Sequence, residues 1–335
     1  MTVSYLLRRL LFTLPTILGV IVIVFVLLRV VPGDPIAMMI GSEATPEDIQ
    51  RLREVYGLDK SIPHQFVVYL GNLLTGDFGT SISLKQNALT LVLGRLPATL
   101  ELAIVAMVIA VACGLALALV ATYWRKSWVS PVIDAFDSIA LSIPEFLWAL
   151  LLVLAFGVLF ANLPISGRFD PARQTDFVTQ FYLFESLLRG RFADALDLLR
   201  YLLLPALALA LPLMAIISRV LSGSLREALG QDYILLARVK GFSAARVLLR
   251  HALPNALLPT ITITGVHFIF LVGGTVLVEL IFSYPGIGNM LFGAAMNRDL
   301  PLIQSVTIVF ALLFIGLNFL IDLSYTLVNP RVKVG

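Results

Sequence analysis

Charge is what this sequence has least of. Asp, Glu, Lys and Arg make up 13% of the 335 residues, against roughly 25% in a soluble domain, while 59% are hydrophobic. The chain therefore reads as a multi-spanning membrane protein. Its single cysteine, Cys113, lies inside an apolar run, so a disulfide framework is excluded and the thiol reads as a small packing residue. The formal charge of +3 is too small to suggest nucleic acid. No Gly-Lys pair occurs, so no Gly-x4-Gly-Lys-Ser/Thr loop can cradle a nucleotide phosphate. His-Glu-x-x-His, Gly-x-Ser-x-Gly and clustered cysteines are also missing, and the three histidines, His64, His251 and His267, are scattered. Protease and metal-dependent lipid chemistry thus have no support. The expectation is a chain that is not an enzyme, with no cofactor and no metal.

What is present is apolar length. Six windows of about 20 residues, enough for a helix to cross roughly 30 Å of hydrocarbon, fall at 10–31, 99–122, 137–161, 201–221, 257–282 and 302–328. The first follows Arg8 and Arg9 but is too long for a secretory h-region and lacks a small-x-small cleavage site, so it is expected to remain as an anchor. Lys and Arg collect at Arg8 and Arg9, Arg125 and Lys126, Arg226 to Arg250, and Arg331 and Lys333, which six spans put on one side. By the positive-inside rule that side, with both termini, is cytoplasmic. The opposite side receives 32–97, where acids outnumber bases, and 162–200, which is more basic and fits less well.

The first outer loop has structure of its own. Thr45-Pro-Glu-Asp followed by Ile49, Leu52, Val55 and Tyr56 on one face predicts a short amphipathic helix ending at Gly57. Pro63 opens a second, through Leu74, before Gly76-Asp-Phe-Gly. These pieces either form an outer cap able to touch an extracytoplasmic partner or simply pack on the bundle.

Between the fourth and fifth windows lies a long, basic, water-facing segment, 222–256. One helix is expected over Ser224 to Val239, a break at Gly241, a second helix over Ser243 to Leu253, and a turn at Pro254-Asn255. Two short helices joined at a glycine would make a knob for a soluble partner. A basic cytoplasmic loop is also the default for any membrane protein.

Gly241, nine residues, then His251-Ala-Leu-Pro254 resembles the conserved loop of ABC importer permeases, with Leu235 and Leu236 replacing its Glu-Ala and His251 replacing its Ile. Asp232-Tyr-Ile, Ala237-Arg, Lys240-Gly and His251-Ala with Asn255 resemble the dipeptide/oligopeptide/nickel branch of that family. So do Leu7 to Leu10, Pro32-Gly-Asp-Pro35, Gly76-Asp-Phe-Gly-Thr-Ser81, Thr99-Leu-Glu-Leu102, Pro164-Ile-Ser-Gly-Arg168, Glu279-x-Ile-Phe-Ser-Tyr-Pro-Gly-Ile-Gly288, Asp322-x-x-Tyr325 and Asn329-Pro-Arg331. The long loop after the first span resembles that of the family's B-type subunit.

The resemblance implies an all-α, six-span type I importer permease in the bacterial inner membrane, with a structured extracytoplasmic loop. Its segments would be an N-terminal segment with the first span (1–31), a loop domain (32–98) and a core (99–335). Implied partners are a second homologous permease, two ABC ATPases, an extracytoplasmic binding protein and the lipid bilayer. The ATPase-coupling surface carried over is Asp232, Tyr233, Ala237, Arg238, Lys240, Gly241, His251, Pro254 and Asn255. Implied cargo is di- and oligopeptides, with nickel chelates, glutathione, oligosaccharides or opine-like solutes as alternatives. A secondary transporter and a membrane receptor or scaffold are the competing classes.

Polar residues inside spans are costly and tend to mark pathways or partners. Glu145 follows Pro144, whose missing donor bends a helix, so the pair is a candidate gate or a packing kink. Glu279 is expected to brace the outer end of the fifth span, Asp322 to pair near the inner end of the sixth, and His267 to be a hydrogen-bonded interior group.

Overall fold

The computed structural model describes residues 3–30, 47, 50–51, 54, 59–160, 163–172 and 176–328, with side chains from Thr13 in the first helix and as far as Ile321 in the last. Among these residues it is built of helices: α1 (Val3–Val30), α2 (Ile62–Leu74), α3 (Ala88–Tyr123), α4 (Val129–Ser142), α5 (Glu145–Leu159), α6 (Tyr182–Leu188), α7 (Phe192–Leu229), α8 (Asp232–Val239), α9 (Ala244–Ile281), α10 (Ile287–Met296) and α11 (Leu300–Val328). Four of the described stretches are long and apolar enough to cross a membrane, Ala88–Tyr123, Phe192–Leu229, Ala244–Ile281 and Leu300–Phe319. The pair α4 and α5 makes a fifth, and α1 contributes the shorter apolar stretch Thr13–Val26.

The third window is not one straight helix. α4 and α5 meet at 102°, because Ile143, held extended (φ −105°, ψ 121°) by the proline after it, cannot continue a helix. Pro144 then caps α5, its carbonyl accepting from the Leu147 and Trp148 amides. The Trp148 indole reaches back to the Ala140 carbonyl at 3.3 Å, satisfying one of the acceptors that the break leaves over.

The chain divides into two compact units, 1–97 with 286–317, and 98–285 with 318–335. In the first, Phe25 of α1 meets Phe66 edge-on at 5.0 Å and stacks on Tyr69 at 5.7 Å, both from α2. α2 begins at Ile62, one residue before the expected start, with Pro63 in its first turn where a missing amide proton costs nothing. The predicted helix before it lies largely outside the described residues; Glu47, Gln50, Arg51 and Glu54 are helical. The motif at Gly76 finds its purpose here. Asp299 accepts from the Ser81 hydroxyl at 2.6 Å, the Ser83 amide at 2.9 Å and the Ser83 hydroxyl at 2.7 Å. Burial pushes the Asp299 carboxyl up, but the hydrogen bonds from Ser81 and Ser83 outweigh it and hold the group below the usual aspartate value.

In the second unit α7 is the central post, packed against α4, α5, α6 and α9. α3 approaches it closely at Gly114, where a Cβ would lie 2.8 Å from the Met214 carbonyl oxygen. The neighbouring Cys113 is exposed on α3, so it is not the packing residue its apolar surroundings suggested. The close approach needed an absent side chain, and Gly114 supplies it.

Candidate functional site

The segment after α7 folds into an elbow, with two corrections to the sequence reading. Ser224 to Val239 is not one helix: α7 ends at Leu229, and Gly230 and Gln231 turn the chain into α8. Pro254-Asn255 is not a turn either. Both lie inside the continuous α9, whose residues Val247–Ala252 widen into a π-helical turn just before the proline. Widening shifts the hydrogen-bond register, which lets the helix take a residue without an amide proton.

Gly241 supplies the break. α8 closes with Gly241 at φ +81°, its amide donating to the Arg238 carbonyl and the Phe242 amide to that of Ala237. This six-to-one and five-to-two pairing needs a left-handed residue, which glycine adopts without Cβ strain. Ser243 then caps α9, accepting from the Arg246 amide at 3.4 Å.

Ile234 and Ala237, three apart on α8, are buried with Val247, Leu248, Ala252 and Ala256 of α9, Leu221, Leu225 and Ala228 of α7, and Ala118 of α3. Burying an isoleucine such as Ile234 is worth about 1.5–3 kcal/mol. Polar contacts fix the angle: Asn255 donates to the Tyr233 hydroxyl at 3.0 Å, His251 stacks on Phe242 at 5.3 Å, and the Arg246 guanidinium lies over the same ring. Asp232, Tyr233, Arg238, Lys240, Gly241, Pro254 and Asn255 are exposed on this elbow, and His251 is partly so. Ala237 is not; its small side chain lets α8 press on α9 inside the elbow.

Sequence reading missed the elbow's exposed apolar face. Leu235, Leu236 and Val239 are 62%, 55% and 78% exposed on α8, although Ile234 and Ala237 already supply its inner contact. The signal was there, since an eight-residue helix with apolar residues on both sides has one face left over. An exposed apolar face marks a contact surface.

The other candidates fall elsewhere in this unit. Pro144 is exposed at the α4–α5 bend. Glu145 is exposed too, with its carboxylate beside Gly274 of α9. Glu279 is fully buried and accepts from the Thr99 hydroxyl at 2.6 Å, bracing α9 against α3. The side chain of Asp322 lies outside the described set. His267 is partly buried beside Phe270.

Around Glu279 three motifs of the sequence converge, those at Thr99, Pro164 and Glu279 itself. Glu101 of α3 is fully buried and accepts from Arg168 at 2.7 Å and from the amides of Leu183 and Phe184 at 2.8 and 3.3 Å, so a residue 82 positions away caps α6. Arg168 also donates to the Gln180 carbonyl and lies 4.0 Å from the centre of the Tyr182 ring. The Gly167 amide donates to the Phe282 carbonyl. Ser283, left-handed at φ +46°, ends α9 and turns Tyr284 into complete burial, which raises its phenol pKa. A second polar contact, between α4 and α7, also went unread: Arg219 donates to the Ser138 hydroxyl at 2.6 Å and Arg226 approaches Asp134 at 3.8 Å.

The sequence matches the family "Binding-protein-dependent transport system inner membrane component" over residues 110–334, and the N-terminal membrane component of binding-protein-dependent transport systems over residues 2–103. This chain belongs to that family. The permease is 38% identical over 331 residues to the di/tripeptide transport system permease protein of Pseudomonas aeruginosa, covering 98% of each chain. It is 35% identical to the dipeptide transport system permease protein of Alkalihalophilus pseudofirmus, over 98% of this chain and 99% of the relative, and 34% identical to that of Escherichia coli, over 98% of each. It is a multi-pass inner-membrane permease subunit of the ABC importer class and is not itself an enzyme. Permeases of this family work with another permease, with ATPases and with a substrate-binding protein.

Proposed function

We propose that this permease forms, with a second homologous permease, the pathway for uptake of di- and oligopeptides across the bacterial inner membrane. The near full-length likeness to permeases named for dipeptide and di/tripeptide transport supports that cargo. Two ABC ATPases supply the energy, since the sequence has no phosphate-cradling loop of its own. An extracytoplasmic binding protein delivers the peptide, and the segment 32–98 is the part of the chain available to meet it.

The elbow is the coupling element, and its exposed apolar face is the observation that carries this reading. Leu235, Leu236 and Val239 enter a cleft of the ATPase, flanked by Asp232, Arg238 and Lys240, which meet its polar groups. Tyr233 with Asn255, and Phe242 with His251, lock α8 to α9, so that closure of the ATPases tilts α9. The elbow and both termini are cytoplasmic, consistent with the one-sided distribution of Lys and Arg. The bend at Pro144 and Glu145 borders the pathway and serves as its gate.

Reconstitution of the permease with its partners tests the whole reading. Hydrolysis stimulated by peptide-loaded binding protein, together with peptide uptake, is the expected result. Peptide uptake by the chain alone would replace this reading with a secondary carrier.

A further inference from the structure

Beside the elbow, where α3 ends, lies a cleft of about 600 Å³ whose wall at Thr122 to Ser127 the coupling role does not use. Thr122 to Ser127 form one wall, and α8 and the start of α9 form the other. Arg125, Lys126 and Arg238 line it, no carboxylate does, and none of the three is paired with a carboxylate among the described residues. Three unneutralised cations around one cavity attract an anion.

A second observation points the same way. Thr122, 5% exposed, also lines the cleft, and its buried hydroxyl has no hydrogen-bond partner. A buried hydroxyl left unmade costs free energy, so one lining a cationic cavity is suited to an anionic oxygen. The rim fixes which kind of anion. Tyr123 and Trp124, which line the cleft, are each 48% exposed at the end of a long apolar span, where aromatic rings settle at the headgroup level of a bilayer. Basic pockets between spans at that level recognise anionic headgroups.

We propose that this cleft binds the phosphate-bearing headgroup of an anionic phospholipid, with Arg125 and Lys126 around the phosphate and Thr122 donating to it. The site needs only a membrane surface at the end of α3, so it stands apart from the question of which face the elbow occupies. Bound lipid would tie the α3–α4 turn to α8.

The full transporter, purified in mild detergent from membranes containing phosphatidylglycerol, is analysed by native mass spectrometry, with phosphatidylcholine supplied as the neutral control. The wild type is expected to retain phosphatidylglycerol over phosphatidylcholine. Arg125→Gln and Lys126→Gln each weaken retention roughly fivefold. Thr122→Val, which removes an unpartnered hydroxyl and leaves the packing alone, also weakens it. Co-isolation of the ATPases, scored on the same samples, is unchanged in all three variants, which separates failure of the cleft from failure of the elbow. Equal retention of the two lipids, or retention unaffected by the substitutions, overturns the proposal. Release of the lipid on ATPase assembly reassigns the cleft to the ATPase and overturns it as well. Displacement by millimolar inorganic phosphate reassigns it to a soluble anion.

Discussion

Arg168 and Glu101 meet at 2.7 Å with 4% and 0% of their side chains exposed. Taking away one member of such a pair leaves a buried charge without its partner, at a cost of about 3–5 kcal/mol. Arg168→Met should therefore lower the thermal unfolding midpoint of the permease in detergent sharply. Combining it with Glu101→Leu should recover part of the loss, because the double variant no longer buries a lone carboxylate. A strictly additive double variant would mean that the two side chains act independently.

Glu185 holds the segment before α6 in a different way. Its carboxylate accepts from the Thr179 hydroxyl at 2.6 Å and from the Val178 and Thr179 amides at 2.9 and 2.7 Å, with Arg189 beside it. The hydrogen bond from Thr179, then that from the Val178 amide, hold its pKa at about 2, below the ordinary 4.5. A depressed carboxyl contributes stability fully above its unfolded value and loses it as pH falls towards the folded one. Wild type and Glu185→Gln should thus differ in thermal midpoint by a constant amount above about pH 5 and converge as pH falls below the ordinary value. A difference that grows on acidification would contradict the assignment.

How much of this was legible in the sequence depended on distance along the chain. Pro144 and Gly241 act on their own neighbours, through a lost donor and a left-handed turn, so the bend and the elbow's break could be read directly. Among the described residues the six apolar windows fall largely on helices, the third broken at Ile143 and Pro144, for the same reason: hydrophobic length is a local property. Glu101 and Arg168 could be noticed only as members of separate motifs, 67 positions apart, because nothing local says that one will cap the helix beside the other. Pro254 misled, since the π-helical turn that accommodates it has no sequence signature. Leu235 and Leu236 were read as departures from a motif, and only the burial of Ile234 and Ala237 exposed their role as the outer face of α8.

Gly114 tests the packing of α3 on α7. A methyl there would sit 2.8 Å from a backbone oxygen and 2.9 Å from Ile217, so Gly114→Ala should cost about 1–3 kcal/mol. Gly223, with nothing within 4 Å of a built Cβ, is the control; Gly223→Ala should be neutral or stabilising by up to about 1 kcal/mol. Thermal unfolding of both variants in the same detergent decides the point.

Gly241 separates strain from obstruction. Its Cβ position is open, so Gly241→Ala adds backbone strain of about 1–2 kcal/mol and little else. Gly241→Trp adds the same strain plus a large group on the elbow's surface. Both variants should insert into the membrane, with the alanine form keeping most of its uptake and the tryptophan form losing ATPase assembly. Equal behaviour of the two would place the effect in the turn rather than at a contact.

The most direct measurement is site-specific photo-crosslinking in the assembled transporter, with the reactive side chain at Val239, the most exposed apolar position of α8. The expected product joins the permease to an ATPase subunit, and a probe at exposed Leu196 of α7 gives no such adduct. An adduct from Val239 to the binding protein, or none to the ATPase while the transporter is intact, would contradict the coupling role of the elbow.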